Sequence, residues 1–435
     1  MAGIKAFRGY RYQLENSQDL GLYTAPPYDM IDSAMIDKLY GLNPLNAVRI
    51  IQNKPEDGDR ENADRHKRAS AILQHWIDEG KIVQDPEPSL YIYKQKFSTQ
   101  INGVTKSCER TGVVLLVELV NFEKKIVFPH EYTLSGPKQD RYELLDASRT
   151  NTGQIFGLVP DKGDLYQAIQ NLRGDNEPLG QFTDENSVVH SIYNCHDSAL
   201  IEQLRALLDD RSILIADGHH RYETALRFYN DKGDAKYSHL MMTLVSMADP
   251  GLVIRPFHRM VRKTDLADKV DMLQSLKRYF EIRKIDTASE EAVTQALGTI
   301  DTQSSEMVYW DCDSSKLYML KINADGEEFL QQSMQEHTSL WKHLEVSVIN
   351  MIVINRILDL PLDGHVLHDV MEYVNDVPKS AELLGTPDQF YGGFFIKPLS
   401  IMTINDIVKG GERMPQKSTN FYPKLFSGLV FNRME

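Results

Sequence analysis

The sequence predicts an α/β protein, on three observations. Apolar runs of strand length alternate with segments whose apolar residues recur at helical spacing. One such run, Ile213-Leu214-Ile215-Ala216, passes through Asp217-Gly218-His219-His220-Arg221 straight into the helical pattern Tyr222-Glu223-Thr224-Ala225-Leu226, the strand–turn–helix step from which α/β folds are assembled. The composition, 42% hydrophobic and 25% charged over 435 residues, is that of a globular chain long enough for about two or three hydrophobic cores.

In chain order, Thr24 to Asp32 reads as a rigid Pro26-Pro27 turn, with Tyr28 and Asp29 placed to line a pocket. It leads into a helix from Ser33 to Leu42 that Asn43-Pro44 ends. A second helix runs from about Glu61 to Glu79 and closes at Gly80. Ser89 to Phe97 alternates as a strand should, Thr111 to Val120 is its expected antiparallel partner, and Gln181 to Tyr193 is a further extended segment. A helix from Ser198 to Leu208 then precedes the strand that delivers the Asp217–Arg221 turn. Tyr237 to Met247 and Pro250 to Val261 read as a buried strand and its turn; Arg255, His258 and Arg259 form a basic cluster there, which taken alone is most simply solvated or ion-paired with the acidic excess. From Thr264 the pattern changes to charged amphipathic helix, short strands at Met307–Trp310 and Lys316–Leu320, and a helix near Val346 to Leu358. The expected division is therefore an N-terminal α/β region, residues 1–263, and a C-terminal α/β domain, residues 264–435.

Charge and composition exclude several functions. A net charge of -14, with no lysine or arginine run longer than a pair, argues against nucleic-acid binding, which needs a concentrated basic surface. No apolar stretch approaches the roughly 18 residues that span a bilayer. Met1 to Gly9 lacks the apolar core of a secretion signal, and Cys108, Cys195 and Cys312 are odd in number and far apart, so a cytoplasmic, disulfide-free protein is expected.

Three stretches carry chemistry. At Asp217–Arg221, unpaired backbone N–H groups and the positive end of a helix dipole meet the side chains of His220 and Arg221, which suits an anion such as phosphate. Gly218 lets a ligand approach the backbone, and Asp217 is placed to take a proton, hold a divalent cation or cap the helix. Read blandly, Asp217 is only the cap and the histidines are packed; five such residues together at one junction favour function. The second stretch, Val127 to Arg141, offers Glu131 as a general base just after an apolar strand end, and Lys138 and Arg141 to neutralise phosphate charge. With equal weight, the same loop reads as a capped helix start in which Asp140 pairs with Arg141. The third, Gly410 to Lys424, contains Lys417-Ser418-Thr419 without the spacing of a Walker site, yet its two lysines and two hydroxyls suit an oxyanion.

Pro26-Pro27-Tyr28-Asp29, Pro129-His130-Glu131, Pro137-Lys138-Gln139-Asp140-Arg141, Ala216 to Tyr222, Pro256-Phe257-His258-Arg259 and Met414 to Thr419 together resemble a bacterial family known as domain of unknown function ten-fifteen, nearly end to end. The turn Asp217-Gly218-His219-His220-Arg221 is also similar to the phosphate-binding turn of the ParB/sulfiredoxin superfamily, and within it to the free-serine kinases, which make O-phosphoserine from serine and a nucleotide. The resemblance implies a ParB/sulfiredoxin-like nucleotide-binding core, elaborated by an N-terminal α/β region and a C-terminal α/β domain that contributes the Lys-Ser-Thr loop. The sulfiredoxin cysteine would fall at His219, and the acidic charge and lack of a helix-turn-helix signal weigh against ParB-like DNA binding.

The expected activity is phosphoryl transfer from ATP or ADP, with Mg2+ implied, to a free amino-acid hydroxyl, L-serine first. Glu131, Asp217 and His219 are expected at the chemistry. Gly218, His220, Arg221, Lys138, Arg141, Lys417, Ser418 and Thr419 are expected on the phosphates, and Tyr28, Asp29, His258 and Arg259 on the acceptor. A homo-oligomer fits this reading, and no membrane partner does. The alternative is a nucleotide-dependent metabolite switch, non-catalytic or slowly hydrolysing, that binds a protein or DNA partner.

Overall fold

The computed structural model describes residues 3–434 apart from 60–61, 102–103, 133–135, 267–269, 302–303 and 387. Glu61 at the expected helix start, Thr133-Leu134-Ser135 of the second stretch and residues 267–269 of the expected amphipathic helix therefore lie outside the described residues. The α/β class holds: a nine-stranded mixed sheet and a six-stranded antiparallel sheet are combined with many helices.

The first sheet takes Ile4–Lys5 (β1), Leu90–Ile101 (β2), Val104–Glu118 (β3), Val127–Pro129 (β4), Ile155–Val159 (β5), Gly180–Thr183 (β6), Val189–Cys195 (β7), Ile213–Asp217 (β8) and His239–Ser246 (β9). Its order is β4-β8-β5-β9-β3-β2-β7-β6, with β1 beside β3. The expected hairpin of β2 and β3 forms, pairing Tyr91 with Val114. The single extended segment expected over 181–193 is instead two paired strands, β6 and β7, since Asp184 accepts from Asn186 N–H and Val188 N–H and so turns the chain. Most pairs are antiparallel, but β4 runs parallel to β8, so both strands end at the same edge.

Side-chain alternation gives the sheet two buried faces. Leu90, Ile92, Val113 and Leu115 pack against the helices Asp164–Arg173 (α1), Ser198–Leu208 (α2) and His219–Lys232 (α3). Tyr91, Tyr93, Val114 and Leu214 point the other way, onto Phe421, Leu425 and Val430 of the C-terminal segment. That segment runs back across the first sheet: Asn420–Tyr422 pairs with Val253–Arg255, and Asn432–Arg433 with Thr150–Asn151.

The second sheet is made of His258–Arg262 (β10), Phe280–Thr287 (β11), Met307–Asp311 (β12), Lys316–Ile322 (β13), Met371–Val374 (β14) and Phe390–Phe395 (β15). Tyr237 to Met247 carries the expected buried strand, β9, but Pro250 to Val261 is more than its turn: it holds two strands, Val253–Arg255 and β10, which Pro256 separates and which join different sheets. The second sheet takes up the chain at His258, and residues 420–433 return to pair with Val253–Arg255 and Thr150–Asn151 in two small sheets packed on the first, so we propose that the division expected at 263/264 falls near Pro256, with the C-terminal segment counted with the first unit. The helix expected near Val346 to Leu358 is a short α-helical turn, Glu345–Val348, continued by a π-helix over Ile349–Ile357. Among the described residues no helix is long and apolar enough to cross a membrane.

Candidate active site

The parallel ends of β4 and β8 build the site, because two parallel neighbours deliver their following loops to one place. From β4 the chain continues into His130 and Glu131; from β8 it continues into Asp217, Gly218 and α3. Gly218 has φ +93°, a backbone region that favours glycine, and a Cβ there would lie 2.9 Å from Arg221 Nη2 and push the guanidinium aside.

The two histidines under the turn are neutral. His130 is buried, and burial pushes its pKa down to about 4. Its Nδ1–H donates to the Ile215 carbonyl (2.6 Å), which leaves Nε2 to accept from the Thr419 hydroxyl (2.8 Å). His219 packs edge-on against it, with ring centroids 4.6 Å apart. Burial lowers the His219 pKa too, and its Nε2 accepts from the His130 N–H (3.3 Å). The remaining nitrogen, Nδ1, lies 3.6 Å from Glu131 Oε1.

Glu131 and Asp217 differ in protonation. Burial pushes the Glu131 carboxyl up to about 7, against the pull of Lys417 and Lys424. Burial would also raise Asp217, but Lys424 and Arg221 outweigh it and hold that carboxyl below its usual value. Lys424 Nζ is 3.1 Å from Asp217 Oδ1, and Arg221 Nη2 is 3.3 Å from Oδ2. The site thus has an ionised aspartate between two cations and a glutamate poised near neutrality.

Lys424 is fixed by side chains of β2 and β3 on the sheet face that the C-terminal segment covers. Arg110, fully buried, donates through Nη1 to Tyr422 O (3.1 Å) and through Nη2 to Pro423 O and Gln95. Gln95 Nε2 donates to Lys424 O (2.9 Å), and Phe426 N–H to the Tyr93 hydroxyl (3.3 Å).

Of the residues expected from sequence, Glu131, Asp217, Gly218, His219, Arg221 and Lys417 are brought together. His220 lies in the electrostatic reach of Lys138, Glu223, Asp29 and Arg221, and burial lowers its pKa. Five expectations need correction. Arg141 is 7% exposed and spends its donors on Asp140 and the Ile51 carbonyl (2.7 Å) while its guanidinium covers the Tyr28 ring, so the ion-pair reading of that loop describes it. Ser418 donates to Pro415 O (2.5 Å) and Thr419 is committed to His130: Lys417 takes a left-handed φ of 57°, and both hydroxyls turn inward. His258 is buried against Phe395 and accepts from Ile396 N–H (3.3 Å), out of a ligand's reach. Arg259, fully buried, donates to the Phe257 and Lys417 carbonyls (2.7 and 3.1 Å), which makes it a support of the loop. Lys138 pairs with Glu223 at 2.5 Å beside the turn, and Asp29 is exposed at its rim.

His130 and Arg110 were given no role from the sequence, and Lys424 only that of one of two lysines suited to an oxyanion. His130 and Lys424 stand inside the stretches that drew notice, but no spacing links Lys424 to a partner 207 residues away. Among the described residues no group of three or more His, Cys, Asp or Glu is placed to hold a metal ion.

Residues 4–347 match the family described as "Protein of unknown function (DUF1015)". The chain belongs to this family. Lys417 and Lys424 lie beyond the part that matches the DUF1015 family. Among solved structures, a free serine kinase variant in complex with AMP is similar at 13% identity and a TM-score of 0.36, over 71% of this chain and 86% of that chain. A conserved hypothetical protein from Pyrococcus furiosus is similar at 12% identity and a TM-score of 0.33, over 72% and 92%. SbnI with a C-terminal truncation from Staphylococcus aureus is similar at 12% identity and a TM-score of 0.34, over 72% and 85%. No curated protein matches the chain.

Proposed function

We propose that this protein is a small-molecule kinase that moves a phosphoryl group from ATP or ADP to a free amino-acid hydroxyl, L-serine first. The observation that carries the reading is Glu131: a carboxyl raised to about 7 beside Lys417 and Lys424 at the mouth of an anion-binding turn. The choice of nucleotide and of serine comes from the resemblance of the Asp217–Arg221 turn to that of the free-serine kinases.

In the proposed reaction, backbone N–H groups at the start of α3 and the side chains of Arg221 and Lys424 hold the phosphates. Ionised Glu131 takes the acceptor hydroxyl proton as the acceptor oxygen bonds to the terminal phosphorus. The bond from that phosphorus to the bridging oxygen breaks, and the electron pair leaves with ADP, or with AMP when ADP is the donor. Neutral His219, its Nδ1–H facing Glu131, orients the base without adding charge. Mg2+ held by phosphates needs only one or two protein carboxylates, of which Asp217 would supply one, and would screen phosphate charge. The acceptor carboxylate would meet Lys417, exposed on the Glu131 side.

Mass spectrometry of a reaction with serine, Mg2+ and either nucleotide tests this. O-phosphoserine should accumulate in proportion to enzyme and exceed phosphothreonine, because one extra methyl in a tight site costs roughly 1–3 kcal/mol. Free phosphate without a phosphorylated acceptor would favour the nucleotide-dependent switch instead.

A further inference from the structure

Arg221 also lines a cleft that does not contain Glu131. Tyr28, Leu144, Leu145, Leu240, Thr152 and Ser427 are among its other lining residues, with Arg141 at its wall. We propose that this cleft receives the nucleoside end of the phosphate donor, an inference that rests on the kinase reading above.

The argument begins with Asp217, which divides the site. Its Oδ1 faces Lys424, and Lys424 and Lys417 lie beside Glu131. Its Oδ2 faces Arg221, which turns the other way: Nη1 donates to Gln154 O (2.7 Å), and a Cβ on Gly153 would lie 3.4 Å from Nη1 and 2.8 Å from Ser427 Oγ. A donor whose terminal phosphate meets an acceptor at Glu131 therefore carries its other end past Arg221, toward the cleft.

The chemistry of the cleft suits that end. Leucines provide apolar walls for a flat ring, while Thr152, Ser427 and the Tyr28 hydroxyl offer polar groups at its edge. Arg221 Nε is buried against Gly218 without a hydrogen-bond partner, an unmet donor at the turn that a ligand oxygen would satisfy if the side chain shifted.

Calorimetry with ADP, ATP and inorganic tripolyphosphate tests the inference on the full chain. Thr152 and Leu145 are half-buried at the cleft, so Thr152→Phe and Leu145→Phe fill it from two sides without entering the turn. The wild type should bind both nucleotides more tightly than tripolyphosphate, and each variant should lose about tenfold in nucleotide affinity while keeping its tripolyphosphate affinity and melting temperature. If both variants bind nucleotide as the wild type does, or if the nucleoside adds nothing over tripolyphosphate, the cleft is not the nucleoside site, and the phosphate-binding turn still stands. If the wild type binds none of the three, the kinase reading falls and the inference with it.

Discussion

Glu131 and Glu345 are both pushed up to about 7 by burial, and both have two cations nearby, Lys417 and Lys424 for the first and Arg259 and Lys397 for the second. Their settings differ. The Glu131 side chain keeps 28% of its surface and stands where β4 and β8 end, next to a glycine turn and the start of a 14-residue helix. Glu345 is 7% exposed and opens a short helical segment behind which the chain continues as a π-helix. A raised carboxyl pKa thus marks desolvation; it marks a reactive site only where a ligand can reach the group and something there can hold the ligand.

The largest expected effect separates the two glutamates. Glu131→Gln should keep nucleotide affinity and lose about 10²–10⁴-fold in kcat, the usual worth of a positioned general base. Glu345→Gln should leave kcat unchanged and alter stability instead. A carboxyl raised on folding makes the folded state hold more protons, so wild-type stability should fall as pH rises from about 4.5 to 7, by about 3 kcal/mol for this group. Chemical denaturation across that range should show a flatter dependence for Glu345→Gln. Equal kinetic losses in both variants would erase the distinction.

Next come the residues of the turn. Arg221→Ala and His220→Ala should each raise the nucleotide Kd about tenfold or more, from the loss of a charge-assisted contact worth roughly 1.5–3 kcal/mol. Unchanged affinity with a lowered Tm would make the turn structural. Gly218→Ala should cost about 1–2 kcal/mol in thermal unfolding, because its φ of +93° penalises a side chain, and should weaken nucleotide binding by displacing Arg221.

The smallest effect sharpens the electrostatics of Glu131. Wild-type kcat/KM should rise with pH through about 7 as the base loses its proton. Lys417→Met removes a cation that favours the ionised form, so the rising limb should move to higher pH, by less than about one unit for an exposed partner. A profile that stays in place would show that Glu131 is not the titrating base.

The sequence by itself determined the α/β class, helices such as Ser33–Leu42 and Ser198–Leu208, and the Asp217–Arg221 turn, because helix caps, apolar periodicity and a glycine between strand and helix are local signals. It also placed Glu131 just after the end of a strand. Only the tertiary structure decided which polar groups remain for a ligand. Ser418, Thr419, Arg141, Arg259 and His258 carry suitable chemistry, yet their hydrogen bonds go to partners within the fold. Nothing local in the Gly410–Lys424 stretch points Lys424 at Asp217; it reaches that carboxylate because Arg110 and Gln95 pin the backbone around it on the sheet face beneath. Such assignments depend on who meets whom at long range: a buried donor must find an acceptor on folding, and no short window of sequence contains both.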